Sequence, residues 1–316
     1  MIVVCGEALI DLFAGEPAAD GIACRAVAGG SPFNLAVGLA RLGRSVGFLG
    51  GLSTDPFGRH LRNRLAAEGV RLDLAVDRPE RTTLSVVSTD AEGHPAYAFH
   101  GEGAADRALG PGDAPASFGD DVTCLTIGSF SLSVEPIAST LEGLVRREAG
   151  RRAVSLDPNL RPQIVGDVAA WRPRFERFLA LSTIVKASDE DVVHLHGAAA
   201  DPDTVVAGWL DQGPALVLLT RGGRGATAWH RTGRFDRAAA RTTVVDTVGA
   251  GDSFQAALLA HLEARGTLSP AGVASLDGAA VAEALATAVT AAGITCGRRG
   301  ADPPDAAALA AALAAQ

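Results

Sequence analysis

Residues 246–254 carry the clearest chemistry in the 316-residue chain, because they set a carboxylate inside a glycine-rich turn. An apolar stretch leads into Gly249, Ala250 and Gly251, and an apolar stripe typical of a helix follows them. The amides of such a turn and the helix N-terminus together form an anion site. Asp252 would weaken simple phosphate binding there, so its presence favours phosphoryl transfer, with Asp252 as the base that takes a proton from an attacking hydroxyl. The alternative is that Asp252 only caps the helix.

This turn differs from the two common nucleotide-binding loops. It lacks the Gly-Lys-Ser/Thr sequence of a P-loop, and Phe254 stands where a dinucleotide fingerprint has its third glycine. The pattern therefore excludes a P-loop and leaves a dehydrogenase as a weak alternative.

Two further features indicate a nucleotide near the same turn. Thr220, Gly222 and Gly225 belong to a second glycine-rich turn that follows an apolar run. Lys186, the only lysine among the 28 Lys and Arg residues, follows another. A compact ammonium suits a phosphate contact where the planar guanidinium of Arg would not fit. A surface position without function is the alternative for Lys186.

A third set of polar residues suits a ligand with several hydroxyl groups. Asp11 ends the first apolar stretch, Gly29 and Gly30 precede the first predicted helix, and Asn34 lies in its first turn. Arg161 follows a later apolar run. Carboxylate, amide and guanidinium groups that meet in a crevice bind polyols. Structural roles are the alternatives: a turn cap for Asp11, a local bond for Asn34 and an ion pair for Arg161.

Alternating strands and helices must position these residues. Buried strands are predicted at 2–5, 46–49, 122–127, 153–156, 183–185 and 216–219, with amphipathic segments between most of them. Residues 31–43 indicate a helix with Ser31 as N-cap, Pro32 in the first position and Gly43 at the end. This order predicts an α/β fold, with a mainly parallel sheet and helices on both faces, in which ligands bind beyond the carboxyl ends of strands.

Two segments, 13–28 and 82–101, interrupt the alternation. In the second, Leu84 and Val86 and then Tyr97 and Phe99 alternate with other residues on either side of a turn at 92–95, which is the pattern of a hairpin. We predict that both segments form a small β lid on a single domain of residues 1–316.

Composition excludes several classes of protein. Apolar residues make up 47% and charged residues 20%, which is typical of a globular protein, and the net charge of −8 argues against nucleic-acid binding. Four scattered cysteines indicate buried, reduced thiols in a cytoplasmic protein. Glu7 and Asp11 interrupt the N-terminal apolar run, so no signal peptide fits, and the Ala-rich stretch 281–296 is too short to span a membrane comfortably.

Two separated segments resemble the ribokinase-like carbohydrate kinases, also called the phosphofructokinase B type. The first is GGSPFNLA at 29–36, continuing to ARLG at 40–43, and the second is DTVGAGDSF at 246–254. The resemblance extends over essentially the whole chain. It implies an enzyme that uses ATP and Mg²⁺ to phosphorylate a hydroxyl of a small sugar, helped in many members by a monovalent cation, usually potassium.

The resemblance also implies roles for single residues. Asp252 is the base, and Gly249, Ala250 and Gly251 form the anion hole. The sugar is bound by Asp11, Gly29, Gly30, Asn34, Phe99 and Arg161. ATP is bound by Lys186, Ser188, Thr220, Gly222 and Gly225. Asp246, Val248 and Gly300 hold the monovalent cation, and Asp191 reaches magnesium through water.

Within this family the resemblance is greatest to bacterial fructokinases, at residues 103–106, 157–162, 185–191 and 296–304. Three sites depart from their pattern: Asp191 replaces Glu, His100 replaces Tyr, and Ile164-Val165 replace Leu-Trp. Fructose is the expected acceptor. The alternatives are 2-keto-3-deoxygluconate, a nucleoside, or a catalytically silent sugar-sensing protein. Lid strands of this family often pair between subunits, so a homodimer is a further expectation.

Overall fold

The computed structural model describes residues 1–89 and 95–316, in which fourteen strands and eleven α-helices are seen. The strands are β1 (Ile2–Cys5), β2 (Leu9–Ala18), β3 (Gly21–Gly29), β4 (Val46–Leu49), β5 (Gly51–Ser53), β6 (Val76–Arg78), β7 (Leu84–Thr89), β8 (Pro95–His100), β9 (Cys124–Gly128), β10 (Ala153–Asp157), β11 (Ile184–Ser188), β12 (Leu216–Thr220), β13 (Ala226–His230) and β14 (Gly233–Arg237). The helices are α1 (Ser31–Arg41), α2 (Pro56–Ala67), α3 (Ile137–Glu148), α4 (Pro162–Val165), α5 (Val168–Leu181), α6 (Asp189–His196), α7 (Pro202–Gly208), α8 (Ala250–Ala264), α9 (Pro270–Ala274), α10 (Gly278–Cys296) and α11 (Ala306–Ala314).

Eight strands form the central sheet in the order β14-β13-β12-β11-β10-β9-β1-β4. The five pairings from β4 to β12 are parallel, and the two pairings at the other edge, β12 with β13 and β13 with β14, are antiparallel. The predicted α/β fold with a mainly parallel sheet is confirmed. Because the carboxyl ends of the parallel strands share one edge, residues that follow these strands are brought together there.

Helices cover both faces of this sheet, as predicted. Successive residues of β1 point to opposite faces, so Ile2 and Val4 join one apolar cluster while Val3 and Cys5 join another. The first cluster contains residues of α1, α8 and α10, and the second contains residues of α3 and α5. Such strands are buried on both sides, which explains why their sequences are continuous apolar runs.

A second sheet has the order β3-β2-β7-β8. It occupies the two segments that interrupt the strand–helix alternation, although β2 begins at Leu9, earlier than expected. Residues 92–94 of the predicted hairpin turn lie outside the described residues. The role of this sheet as a lid, and the assignment of residues 1–316 to one domain, stay predictions. A third, two-stranded sheet pairs β5 with β6.

The first helix departs from prediction at its beginning. Gly30, with φ of 101°, is the N-cap of α1 and makes no side-chain capping bond, while Ser31 is already helical. The expected N-cap role of Ser31 is therefore wrong. The expected end at Gly43 is confirmed, since Gly43 has φ of 74° and its amide bonds back to the carbonyl of Ala40.

The Ala-rich helix α10 packs against α8 and α11. By length and composition alone it is apolar enough to cross a membrane, but half of its most apolar window is buried against the rest of the protein. All four cysteines are free thiols. Cys5 and Cys124 are buried as expected, and Cys296 is partly buried. Cys24 on β3 is exposed, so the expectation of buried thiols was wrong for Cys24.

Candidate active site

A cleft at the carboxyl edge of the central sheet collects most of the predicted site residues. Its larger lobe has a volume of about 530 Å³ and its smaller lobe about 280 Å³. The larger lobe is lined by Asp11, Gly30, Asn34, Phe99, Gly249 and Asp252, among others. The smaller lobe is lined by Ser188, Asp191, Thr220 and Gly222. Arg161, Lys186 and Gly251 line both, so the two lobes meet at the glycine-rich turn.

Asp252 lies in the first turn of α8 and is 8% exposed. Ser31 Oγ donates a hydrogen bond to Asp252 Oδ1 at 2.6 Å, and Asn34 Nδ2 donates to Oδ2 at 2.9 Å. Burial raises the pKa of Asp252, and the two donors partly oppose that shift. The N-cap of α8 is Gly249, so the structure gives no support to the capping alternative for Asp252.

The glycine-rich turn is tightly enclosed. Gly249 has φ of 75°, and a Cβ atom added there would lie 2.6 Å from the Cβ of Ala301. A Cβ at Gly251 would lie 3.0 Å from Lys186 Nζ. The first amides of a helix have no carbonyl partner within it. The amide of Ala250 donates to the carbonyl of Thr247 at 3.3 Å, and the start of α8 lies at the edge of the cleft, beside the lysine ammonium.

Lys186 is a buried residue of β11, only 4% exposed. Its Nζ donates to Asp157 Oδ2 at 2.7 Å. Burial lowers the pKa of Lys186, but the carboxylates of Asp157 and Asp191 outweigh burial and raise it overall, so the ammonium stays charged. Burial raises the pKa of Asp157 to about 6. The surface alternative for Lys186 is therefore wrong.

The larger lobe receives polar groups from both large sheets. Asp11 lies within β2, not at the end of the first strand as expected, because the chain turns at Gly6 with φ of 145° before β2 begins. Burial raises the pKa of Asp11, and bonds from Ser85 oppose the shift. A Cβ at Gly29 would lie 2.1 Å from Asp11 Oδ2, so the absence of a side chain there makes room for the carboxylate.

Arg161 precedes α4 and lies between the lobes. Its Nη1 donates to the carbonyls of Asn159 at 3.2 Å and Leu160 at 3.1 Å. Across the described residues we find no acidic side chain in a salt bridge with Arg161, so the ion-pair alternative is not supported.

The smaller lobe holds most of the residues predicted to bind ATP. Ser188 is the N-cap of α6, Thr220 ends β12, and Gly222 follows with φ of 51°. Gly225 is not among the described lining residues. A Cβ there would lie 2.1 Å from the carbonyl oxygen of Arg237, so Gly225 allows a close approach of two backbones.

Asp191 is 4% exposed and its carboxylate is engaged by the protein. Oδ1 accepts from the amide of Leu160 at 2.7 Å, and Oδ2 accepts from the amide and hydroxyl of Ser188 at 2.8 and 2.7 Å. Asp191 thus joins the start of α6 to the loop after β10. Its magnesium role stays a prediction, and the described residues contain no cluster of three or more His, Cys, Asp or Glu side chains suited to a metal ion.

The three residues predicted to hold a monovalent cation are neighbours. Asp246 Oδ1 accepts from the amide of Val248 at 3.1 Å, and Oδ2 accepts from the amide of Gly300 at 2.8 Å. Each carboxylate oxygen keeps a second lone pair for a ligand.

The lining residues missed by sequence reasoning include Glu7 and Ser31. Glu7 is 1% exposed, accepts a hydrogen bond from Ser131, and has its pKa raised to about 7, chiefly by burial. The signal was present, since Glu7 breaks an apolar run. Ser31 was assigned to the helix cap, and no local pattern indicates its bond to Asp252, 221 positions away.

Comparison with known proteins agrees with this geometry. The model of the pfkB family of carbohydrate kinases matches residues 1–308. This chain belongs to the pfkB family. A fructokinase of Rhizobium leguminosarum bv. trifolii is 39% identical over 277 residues, covering 88% of this chain and 84% of that protein.

Two solved pfkB-like structures show the same architecture. A Xylella fastidiosa fructokinase with bound ATP has a TM-score of 0.89 at 28% identity, over 100% of this chain and 98% of that one. A Vibrio cholerae O395 fructokinase in a fructose-, ADP- and calcium-bound form has a TM-score of 0.83 at 27% identity, over 99% and 98%. The expected family membership is confirmed, and the chain is a carbohydrate kinase of the pfkB family.

Proposed function

We propose that this pfkB-family chain is an ATP-dependent fructokinase with Asp252 as its base. One observation carries the proposal: the carboxylate of Asp252 lines the larger lobe of the cleft, which is also lined by the first turn of α8 and by Lys186. A buried carboxylate beside anion-binding groups suits transfer of a phosphoryl group to a hydroxyl bound in that lobe. The fructokinases it resembles support the choice of fructose.

In the proposed reaction, a sugar hydroxyl gives its proton to Asp252 as its oxygen forms a bond to the γ-phosphorus. The bond from that phosphorus to the bridging oxygen breaks, and ADP leaves. The amides of Gly249, Ala250 and Gly251 and the charge of Lys186 stabilise the negative charge on the transferred group. Its raised pKa makes Asp252 a stronger base than an exposed carboxylate.

We assign the larger lobe to the sugar. Asp11 and Asn34 offer an acceptor and a donor to hydroxyl groups, the backbone of Gly30 lies close to the same space, and Phe99 provides an apolar wall. Gly29 contributes by leaving room for Asp11. Arg161, which lines both lobes, would contact both sugar and phosphate.

We assign the smaller lobe to ATP, with Lys186, Ser188, Thr220 and Gly222 nearest to it. Gly225 would act by shaping the turn. Magnesium, which neutralises phosphate charge, would be held mainly by the phosphates and water, because both oxygens of Asp191 are already hydrogen-bonded.

Potassium is a separate proposal. Asp246, Val248 and Gly300 supply one carboxylate and neighbouring backbone, which suits a monovalent cation. We also propose a cytoplasmic homodimer, for which light scattering is the direct test. The exposed edge strand β3 offers free backbone groups for pairing between subunits.

A second acceptor, 2-keto-3-deoxygluconate, is favoured by one observation. The bonds of Arg161 go to backbone carbonyls, so its positive charge is not neutralised by a described acidic partner and suits a substrate carboxylate.

The test is ADP release, with magnesium and potassium present, over fructose, ribose, 2-keto-3-deoxygluconate, adenosine and fructose 6-phosphate. We expect fructose to have the highest kcat/KM. The matched variant Asp252→Asn keeps the size of the side chain and its bond from Ser31 but should lose on the order of 10²–10⁴-fold in kcat. Fructose-dependent thermal stabilisation without any ADP release would instead support the alternative of a sugar-sensing protein. Near-normal turnover of Asp252→Asn would refute the assignment of Asp252 as the base.

A further inference from the structure

The hydroxyl of Ser31 is directed away from its own helix. A serine at a helix start usually accepts a bond from a backbone amide two or three residues on. Here Gly30 is the N-cap, and no side chain caps α1. Ser31 Oγ instead donates to Asp252 Oδ1 at 2.6 Å, 221 positions along the chain. The hydroxyl of Ser31 therefore serves as a hydrogen-bond donor to Asp252 and does not cap α1.

Ser31 and Asn34 form a two-point clamp on one carboxylate. They lie three positions apart, so they share a face of α1. Ser31 binds Oδ1 and Asn34 binds Oδ2, so each oxygen of Asp252 has one side-chain donor. The two donors differ in one respect: Asn34 is also one of the residues proposed to bind the sugar, and Ser31 is not.

We propose that Ser31 is a positioning residue for Asp252, which fixes Oδ1 so that Oδ2 is the oxygen that receives the proton of the sugar hydroxyl. This inference rests on the proposed function. When the sugar arrives, the amide of Asn34 turns to a sugar hydroxyl and frees Oδ2, while Ser31 keeps the carboxylate from rotating. The proton moves from the hydroxyl to Oδ2 as the hydroxyl oxygen bonds to the γ-phosphorus. The bond from that phosphorus to the bridging oxygen of ATP breaks, ADP leaves, and the proton later passes from Oδ2 to solvent.

The packing of α1 on α8 makes the clamp rigid. A Cβ at Gly38 would lie 2.9 Å from the Cβ of Ala256, so the two helices touch closely one to two turns beyond the clamp. Both helices begin at the cleft, and their N-termini favour the charged form of Asp252.

Four other charged groups act on Asp252. Lys186 on β11 and Arg161 after β10 lower its pKa, while Asp11 on β2 and Asp157 on β10 interact with it as like charges. None of them touches Oδ1 in the structure, where Ser31 is the donor. Removal of Ser31 therefore changes a local bond and leaves this charge pattern intact.

The experiment compares the pH profiles of three variants with the wild type. Ser31→Ala removes the donor, Ser31→Thr keeps a hydroxyl, and Ser269→Ala removes a true capping hydroxyl at the start of α9. In Ser31→Ala we expect the acidic limb of the kcat/KM–pH profile to shift to higher pH by about one unit, because the carboxylate of Asp252 loses a hydrogen bond that favours its charged form. At neutral pH kcat should fall about tenfold with little change in KM. Ser31→Thr should retain most of the wild-type profile, and Ser269→Ala should keep it entirely.

The outcomes separate this inference from the proposed function. Suppose that the wild type phosphorylates fructose and Asp252→Asn does not. If Ser31→Ala then leaves the acidic limb and kcat unchanged, the positioning role is refuted and the proposed function stands. A change confined to KM would also refute it. If the wild type phosphorylates no sugar, or Asp252→Asn stays active, the proposed function fails first. Thermal unfolding of each variant shows that the fold is kept.

Discussion

Lys186 and Asp157 form a buried pair whose members depend on each other. Nζ and Oδ2 are 2.7 Å apart, and the side chains are 5% and 3% exposed. Removal of one member leaves the other as an unpaired buried charge, which costs more than the pair contributes. At this position stability and the proposed phosphate binding would therefore depend on the same ammonium.

Lys186→Met should lower the free energy of unfolding by about 3–5 kcal/mol, because the carboxylate of Asp157 is left unpaired. It should also abolish most turnover, since the ammonium beside Gly251 is gone. The double variant Lys186→Met/Asp157→Leu removes the stranded carboxylate and should recover much of the stability without recovering turnover. Urea unfolding and kcat measure the two effects; full stability in the single variant would contradict this account.

Sequence reasoning at the residue scale succeeded where residue type alone was informative. A lone lysine in an Arg-rich chain indicated a special environment, and Lys186 is buried. The anion site indicated by glycines around a carboxylate stays a prediction. Sequence reasoning failed for Ser31 and Asp11. Ser31 chooses between its own helix and a distant carboxylate, and Asp11 follows a backbone turn at Gly6; both depend on tertiary contacts that no local pattern records.

At the scale of elements, the contact of α1 with α8 sets the geometry of the site. Gly38 faces Ala256, and the clamp residues of α1 and the carboxylate of α8 lie at the same end of the two helices. A change in helix spacing is therefore transmitted to the distance between Ser31 and Asp252.

Gly38→Ala should push α1 away from α8, at a cost of about 1–3 kcal/mol for overpacking, and should lower kcat. The matched double variant Gly38→Ala/Ala256→Gly moves the methyl group to the other helix and should restore kcat, although a glycine within α8 costs about 1 kcal/mol of its own. Thermal unfolding and steady-state kinetics measure both. An unchanged kcat in Gly38→Ala would show that the helix spacing does not govern the site.

The strands of the central sheet that could be predicted are buried on both faces and appear as continuous apolar runs. The antiparallel pair β13 and β14 at the sheet edge was missed. β13 is buried, but Thr227 and His230 interrupt its apolar residues, and β14 is largely exposed and polar. Predicted boundaries were displaced by one to three residues at β9 and β11, where the apolar run and the hydrogen-bonded strand do not coincide.

At the scale of the whole molecule, the cleft joins two sheets. Asp11 and Phe99 come from the four-stranded sheet, while Lys186 and Asp252 belong to the central sheet and the helix packed on it. The overall α/β order was predictable from the alternation of elements. How the four-stranded sheet meets the cleft was not, because it depends on packing between distant segments.

Closure of the four-stranded sheet over the sugar should exclude water from the transferred phosphoryl group. We expect ATP hydrolysis without sugar to be far slower than turnover with fructose, and ADP and sugar phosphate to form in equal amounts. Paired assays of ADP, inorganic phosphate and sugar phosphate test this. Equal rates of ATP hydrolysis with and without sugar would rule out gating by closure.

Lys186 also determines how the protein reacts with amine-directed reagents. Acylating labels, cross-linkers and enzymes that modify lysine find one side-chain target in the sequence, and it is 4% exposed. A label that reaches it would occupy the space beside Gly251. The lysine is thus a natural probe of cleft opening.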